Sequence, residues 1–183
     1  MKHSIAGDTN TVKITGAANM SLLKIMSCAV VVVQVATVAS AQGRSPAMPP
    51  EIVDGVKSCL SATTEKTVEA DRLQANGWHP ASVTYDGKPV DASLTFFSKG
   101  NLLLMTKKTA KYPACFITAT LSNSGTFDDL AYALQAGLGV DGKANAGEKD
   151  SIYFFPKGHI VQMTRAGTPG KPAVRVVVGF MAQ

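Results

Sequence analysis

Apolar side chains recur at helical spacing soon after residue 50. Ile52, Val56, Cys59 and Leu60 fall at i, i+4, i+7 and i+8, which places them on one face of a helix. Pro50 precedes them and suits the first turn of a helix, because its missing N–H has no intrahelical partner there. The pattern therefore predicts a first helix that buries one face and carries a cysteine within that face.

A second helical pattern follows after a polar interval. From Val68 to Ala75 the helical spacing resumes, with Val68 and Leu73 as apolar positions among charged residues. Gly77 suits the left-handed position just past a helix end, and Trp78 can then pack back on the last turn. The pattern thus predicts a short second helix with a tryptophan fixed at its end.

A third helix is predicted in the middle of the chain. Thr126 and Asp129 form a T-x-x-D capping box. Apolar residues then continue at helical spacing, at Phe127, Leu130, Ala131, Leu134 and Leu138. Gly137 and Gly139 are expected to end this helix.

Elsewhere the apolar period changes to two, which predicts strands. An Asp86-Gly87 turn joins 82–85 to 90–97 in a predicted hairpin. Further strands are predicted at 102–107, 115–121, 151–155, 159–165 and 173–180, and 141–150 reads as a solvated loop. Short turns imply antiparallel neighbours. The predicted fold is α+β, with a mainly antiparallel sheet of about seven strands, in the order helix–four strands–helix–three strands, packed against two or three helices.

Cys59 and Cys115 are expected to form one disulfide. Cys59 lies on the first helix and Cys115 in the fourth strand, so the bond would join a helix to the sheet. Cys28 lies in the predicted signal peptide described below, so these two cysteines remain after its removal. Two cysteines in an oxidising compartment usually pair, and closing so long a loop stabilises by about 4 kcal/mol in the chain-entropy model. The alternative is two buried free thiols. The spacing is not C-x-x-C, which argues against redox catalysis.

Residues 20–41 have the pattern of a cleaved signal peptide. Lys24 lies in a short positive region, about 14 apolar residues follow, and Ala39-Ser40-Ala41 is an A-x-A cleavage signal. The apolar run is shorter than the roughly 20 residues of a membrane span, so cleavage after Ala41 is favoured over an uncleaved anchor. The predicted organisation is 1–19 as an N-terminal extension or misassigned start, 20–41 as signal peptide, 42–50 as flexible lead-in, and 51–183 as a single α+β domain.

Composition and charge narrow the class of function. The chain has 183 residues, 45% hydrophobic and 17% charged, with a formal net charge of +5. Residues 1–41, which we call the leader, contain Lys2, Lys13, Lys24 and Asp8. The remaining chain therefore has 15 basic and 12 acidic residues and a net charge of +3. Nucleic-acid binding loses its main compositional support, and no membrane span is expected after cleavage.

Motifs for catalysis or metal binding are not evident in the sequence. His79 and His159 are the histidines that remain after the leader, and they lack H-x-x-x-H or H-x-H spacing. Neither a G-x-S-x-G elbow nor a G-x-x-x-x-G-K phosphate loop occurs. We therefore expect no cofactor and no metal. A non-enzymatic protein is favoured over an enzyme whose catalytic groups converge only in the folded chain.

The densest basic run offers one candidate for partner binding. Lys107, Lys108 and Lys111 lie close together in sequence and would contact an anionic partner, such as an acidic protein or a phosphate-bearing envelope polymer. The alternative is that these lysines only prevent edge-to-edge pairing of strands.

Two pairs of adjacent phenylalanines, Phe96-Phe97 and Phe154-Phe155, offer another candidate. Neighbouring strand residues point to opposite faces, so either both faces of the sheet are covered or some aromatic surface is exposed for binding. Phe97 and Phe154 are assigned as candidate partner-binding residues. A homodimer contact would use the same surface.

The arrangement of Cys59, Gly77-Trp78 and Cys115 resembles that of small exported bacterial proteins of unknown role, and this resemblance implies no activity. We expect a periplasmic or secreted globular protein with a non-enzymatic binding or structural role in the cell envelope, its partner an unidentified protein or envelope component. Two alternatives stay open. One is a small exported hydrolase-like enzyme, and the other is a chaperone-like module that binds a client by strand addition, for which a long unpaired edge strand would be the signature.

Overall fold

The computed structural model describes residues 44–85, 88–89, 93–107, 111–144 and 150–181. Its helices are α1 (Pro49–Ala62), α2 (Ala70–Ala75) and α3 (Thr126–Leu138). Its strands are β1 (His79–Ala81), β2 (Thr84–Tyr85), β3 (Lys88–Pro89), β4 (Leu94–Lys99), β5 (Leu102–Lys107), β6 (Ala114–Thr120), β7 (Lys143–Ala144), β8 (Ser151–Phe154), β9 (His159–Thr168) and β10 (Lys171–Phe180).

The strands form an antiparallel sheet in the order β1-β4-β5-β6-β10-β9-β8-β7, with β2 and β3 paired apart from it. Two meanders, one on each side of α3 in the chain, meet where β6 pairs with β10, for example at Ile117 and Val176. The α+β prediction is confirmed, with eight strands in the main sheet. The sequence pattern missed β1, whose Pro80 suits an edge strand, and β7, which is too short to show alternation and lies in the predicted loop.

Helices α1 and α3 cover one face of the sheet. The apolar side chains of α1 that the spacing placed together, Ile52, Val56 and Cys59, are all fully buried. On the sheet they meet alternate residues of the central strands, including Leu104, Ile117, Val174 and Val176. This helix-covered face contains the single hydrophobic core of the described residues.

The predicted disulfide between Cys59 and Cys115 is confirmed. The two Cα atoms are 5.9 Å apart, within the usual range for a disulfide, and both cysteines are fully buried. The bond joins α1 to β6, near the middle of the sheet. It therefore fixes the helix on the face that it covers.

The end of α2 confirms the predicted left-handed stop. Gly77 has φ of 81°, and its N–H donates to the carbonyl of Gln74 at 2.9 Å. The N–H of Trp78 donates to the carbonyl of Leu73 at 3.1 Å, so the two bonds form a Schellman motif. The motif directs the tryptophan ring into the core, where it is 1% exposed.

The predicted start of α3 is wrong by one residue, whereas the predicted end at Gly139 is confirmed. The helix begins at Thr126 itself, so Thr126 is not the N-cap, and its N–H donates instead to the side-chain oxygen of Asn123 at 3.1 Å. Gly137 lies inside the helix, which ends at Gly139 with φ of 66°. A cap one residue earlier and a glycine within the last turn are both compatible with the same apolar spacing, which is why the pattern did not separate them.

The described part of the proline-containing lead-in lies against the sheet. The N–H of Ala47 donates to the carbonyl of Thr120 at 2.9 Å, and the Arg44 guanidinium donates to the carbonyl of Leu102. Burial lowers the pKa of that guanidinium from its usual value. The predicted extension and signal peptide, at 1–19 and 20–41, lie outside the described residues.

Candidate functional site

The face of the sheet opposite α1 and α3, which we call the open face, is the most extensive candidate site. Side chains alternate between the two faces along each strand, so the residues next to the buried ones point to the open face. In β5, Leu102, Leu104 and Thr106 are buried under the helices, whereas Leu103 and Met105 are half-buried on the open face. Among the described open-face residues, Ser151 is the one that is buried, with 5% of its surface exposed.

A continuous row of side chains crosses the open face from strand to strand. Direct cross-strand partners place one residue of each of six strands in this central row, in the order Phe96, Met105, Phe116, Val177, Gln162 and Tyr153. Each is half-buried, and four of the six are apolar. Six strands at ordinary spacing make the row about 24 Å long. Contiguous apolar surface of this kind is typical of an interaction site.

The polar groups within the row satisfy one another. The side-chain amide of Gln162 donates to the Tyr153 hydroxyl at 3.0 Å. Beside them, the hydroxyls of Ser151 and Thr164 lie 3.0 Å apart and share a hydrogen bond. Because these groups already have partners, this part of the open face offers an occupant mainly apolar contact.

Charge on the described open face is exclusively positive. Lys107, Lys143 and Arg175 point to this face, by cross-strand pairing with Leu94, Tyr153 and Thr164, and all three are exposed. The described acidic residues lie on helices or in loops: Glu51, Asp54, Glu65, Glu69, Asp71, Asp128, Asp129, Asp141 and Asp150. The open face therefore presents positive potential to a partner, in spite of the modest net charge.

One end of the central row leads into an open cleft at β7, β8 and β9. The cleft has a volume of about 420 Å³ and is lined by Lys143, Ala144, Tyr153, Phe155 and Ile160. Phe155 is 43% exposed, one of few large apolar side chains in the described chain that water reaches so freely. The volume lies within the range of small-molecule sites. Tyr153 belongs to both the row and the cleft, so the two form one continuous surface.

The candidate lysines from the sequence occupy different positions. Lys107 ends β5 and points to the open face, whereas Lys108 lies outside the described residues. Lys111 is exposed, with its ammonium 5.3 Å from the centre of the Tyr112 ring. Partner binding by these lysines stays a prediction.

Phe97 and Phe154, the candidate phenylalanines, lie in the core rather than on the surface. Phe97 is 2% exposed and Phe154 is fully buried, both on the helix-covered face, and five strand spacings separate them. Phe96 and Phe155 are the accessible members of the two pairs. A pair of adjacent aromatics does not by itself say which member faces the core, because that depends on which face the helices cover.

The two histidines do not form a common site. His79 is exposed on edge strand β1, and five strand spacings, about 24 Å, separate it from His159 on β9. The His159 ring nitrogens lie 3.0 Å from the carbonyl oxygens of Lys157 and Thr63. His159 thus links β9 to the segment after α1. Within the described residues, no cluster of histidine, cysteine and carboxylate side chains is arranged to hold a metal.

A second cleft, of about 360 Å³, lies between the start of α3 and the β9–β10 turn. Its cationic group, Arg165, is already engaged. The guanidinium is 2.7 Å from a carboxylate oxygen of Asp128, donates to the carbonyl of Ser124, and lies 4.0 Å above the Phe127 ring. These contacts hold α3 to β9 and account for this arginine structurally.

The edges of the main sheet offer little to an added strand. Edge strand β1 has three residues and includes Pro80, and edge strand β7 has two residues. Short edges and proline are features that oppose strand addition. The long unpaired edge that a strand-adding chaperone module needs is not found in the described part of the sheet.

Sequence reasoning missed most of the open face, although one signal was present. Leu102 to Met105 are apolar at every position, as are Phe96-Phe97 and Val176 to Val178. When a strand is apolar at both its odd and its even positions, both faces of the sheet are apolar there, which predicts that the second face is also covered or binds something. Lys143 carried no signal, because only the fold brings it beside Tyr153.

Comparison with known proteins identifies no relative, since no protein-family model, no curated protein and no solved structure matches the chain.

Proposed function

We propose that this is an exported, non-enzymatic binding protein that holds its partner on the open face of its sheet. The observation that carries the proposal is the central row, which crosses six strands on the face away from α1 and α3 and is apolar over four of them. A partner that covers the row would remove apolar surface from water, which favours binding by about 25 cal/mol for each Å² buried. Exposed cations around it favour a partner with negative charge.

Export is supported by the disulfide and by the leader pattern. A buried disulfide such as Cys59–Cys115 is characteristic of proteins that fold in oxidising compartments. None of the helices that the structure describes has the length and apolarity to cross a membrane. The proposed working form is the chain after Ala41, acting in the periplasm or outside the cell.

A non-enzymatic role is supported by how the reactive side chains are distributed. The two histidines are far apart, and His159 has carbonyl oxygens at both ring nitrogens. Asp128 pairs with Arg165, and the Ser122 hydroxyl lies 2.9 Å from that of Thr126. A general base must reach the proton that it removes, and these contacts give each group a structural role instead.

The proposal is tested by capturing partners from a cell-envelope extract and analysing both proteins and lipids. Met105→Glu places a carboxylate in the central row and should lower recovery of the specific partner at least tenfold. Tyr132→Glu is the matched control, because Tyr132 is 74% exposed on α3, on the other side of the molecule. Circular dichroism and a thermal melt would show that both variants are folded.

Three results would contradict this function. The first is equal recovery of the partner by Met105→Glu and the wild type. The second is the reverse pattern, with loss confined to Tyr132→Glu. The third is hydrolysis of generic ester or peptide substrates by the wild-type protein, which would favour the hydrolase-like alternative.

A further inference from the structure

The open face combines two chemistries at one end, and their combination specifies a ligand class. The cleft at β7, β8 and β9 has walls formed by the Tyr153 and Phe155 rings and the Ile160 side chain, with the Lys143 side chain among its lining residues. No ion pair of Lys143 is formed within the described residues. An ammonium beside apolar walls favours a ligand with an anionic group attached to a hydrocarbon.

The central row continues the apolar surface away from the cleft, and so favours a ligand with a long hydrocarbon part. Beyond Tyr153 and Gln162, whose polar groups bond to each other, the row continues through Val177, Phe116 and Met105. These side chains supply dispersion contact and no hydrogen-bonding group other than the thioether of Met105. A hydrocarbon chain loses no hydrogen bonds when it leaves water for such a surface, whereas a peptide backbone would leave N–H and C=O groups without partners.

We infer that the open face binds a free long-chain carboxylate, with the carboxylate at Lys143 in the cleft and the acyl chain along the central row. This inference rests on the proposed function and names the ligand class for the same surface. Binding would be non-covalent. The carboxylate would form an ion pair with the ammonium of Lys143. The acyl chain would cover side chains of the row that are now half-exposed.

A monomeric ligand fits this surface better than a bilayer does. The row residues are half-buried within the sheet, and Phe155 is the one large apolar side chain of the cleft that is strongly exposed. Membrane docking depends on apolar side chains that enter the acyl region, and a recessed row on a broad sheet does not extend that far. A second copy stacked face to face would bring Lys107, Lys143 and Arg175 of the two copies together, which like-charge repulsion opposes.

The experiment titrates dodecanoate, kept below its micelle concentration, into the purified protein by calorimetry. We expect one saturable site, and we expect octanoate to bind more than tenfold more weakly because four methylenes are missing. Dodecanol has the same chain without the charge, so it should bind about fivefold more weakly than dodecanoate. Added salt should weaken the binding of dodecanoate and leave the binding of dodecanol unchanged.

Variants separate the head contact from the chain contact. Lys143→Gln should weaken the binding of dodecanoate about fivefold and leave the binding of dodecanol unchanged. Lys66→Gln is the matched control, since Lys66 is an exposed lysine in the loop between α1 and α2, and it should change neither ligand. Phe116→Ser should weaken both ligands by more than tenfold, with circular dichroism confirming that the variant is folded.

Several outcomes would overturn the inference. One is the absence of dodecanoate binding, and another is equal affinity of wild type and Lys143→Gln. A third is binding to phosphatidylglycerol vesicles without binding to monomeric dodecanoate. If dodecanoate fails to bind while Met105→Glu still abolishes partner capture, the ligand class is wrong and the proposed function stands. If Met105→Glu also leaves capture unchanged, both fail.

Discussion

Individual residues determine how closely the two long helices of this protein approach each other. Gly137 lies in the last turn of α3, where a Cβ atom would come within 2.6 Å of a methyl carbon of Val53 on α1. Real side chains essentially never approach so closely, and Val53 has little rotamer freedom on a helix. The glycine that the sequence pattern interpreted as a helix end is therefore a contact point between two helices. Its lower helix propensity is offset by the packing that it allows.

Gly137→Ala is expected to lower the free energy of unfolding by about 1–3 kcal/mol, because overpacking outweighs the gain in helix propensity. The measurement is urea denaturation followed by circular dichroism. In a Val53→Ala background the same substitution should cost less, since the methyl group that it meets is gone.

Gly170→Ala is the control for this substitution, because a Cβ there meets nothing within 4 Å. It should change the free energy of unfolding by no more than about 0.5 kcal/mol. Equal costs of Gly137→Ala with and without Val53 would show that the α1–α3 contact is not the cause.

At the scale of elements, the chain closes its sheet by long-range connections. The sheet is continuous because β10, the last strand, pairs with β6 across the whole of α3, β7, β8 and β9. Helix α1, at the start of the domain, lies over the same central strands and is fixed to β6 by the disulfide. The cross-link therefore constrains a contact between segments 56 residues apart in sequence.

Removing the disulfide should test how much this connection contributes. Cys59→Ala with Cys115→Ala should lower the free energy of unfolding by about 2–4 kcal/mol, since the unfolded chain regains the freedom that the cross-link removes. The measurement is urea denaturation with and without reductant. Wild type should lose stability on reduction, and the double variant should not respond. A response of the double variant, or none in wild type, would contradict a stabilising role.

For the whole molecule, the arrangement of charge matters more than its total. Described carboxylates lie on helices and in loops, whereas the described charged groups of the open face, which include Lys107, Lys143 and Arg175, are positive. The described part of the open face is thereby positive, although the net charge of the domain is low. The same side carries the apolar central row, so electrostatic attraction and apolar burial favour the same orientation of a partner.

The proposed export also belongs to this scale. When the full chain is produced in cells that can export it, we expect the recovered protein to begin at Gln42, because the A-x-A signal ends at Ala41. N-terminal sequencing or intact mass measures this directly. Substituting both Ala39 and Ala41 by bulky residues should block processing and leave the longer chain. An exported protein with any other first residue would contradict the predicted cleavage site.

The sequence by itself determined the class of fold, the disulfide and most elements, because these depend on local periodicity and on the number of cysteines. Ile52, Val56 and Cys59 recur at helical spacing whatever they pack against, and Gly77 stops α2 by its own conformational freedom. The tertiary structure alone decided which face of each strand is covered. Phe96 and Phe97 are equivalent in sequence, and they became surface and core only when α1 and α3 settled on one side. Likewise, cross-strand register alone brought Lys143 beside Tyr153, because pairing between distant segments leaves no periodic trace in either one.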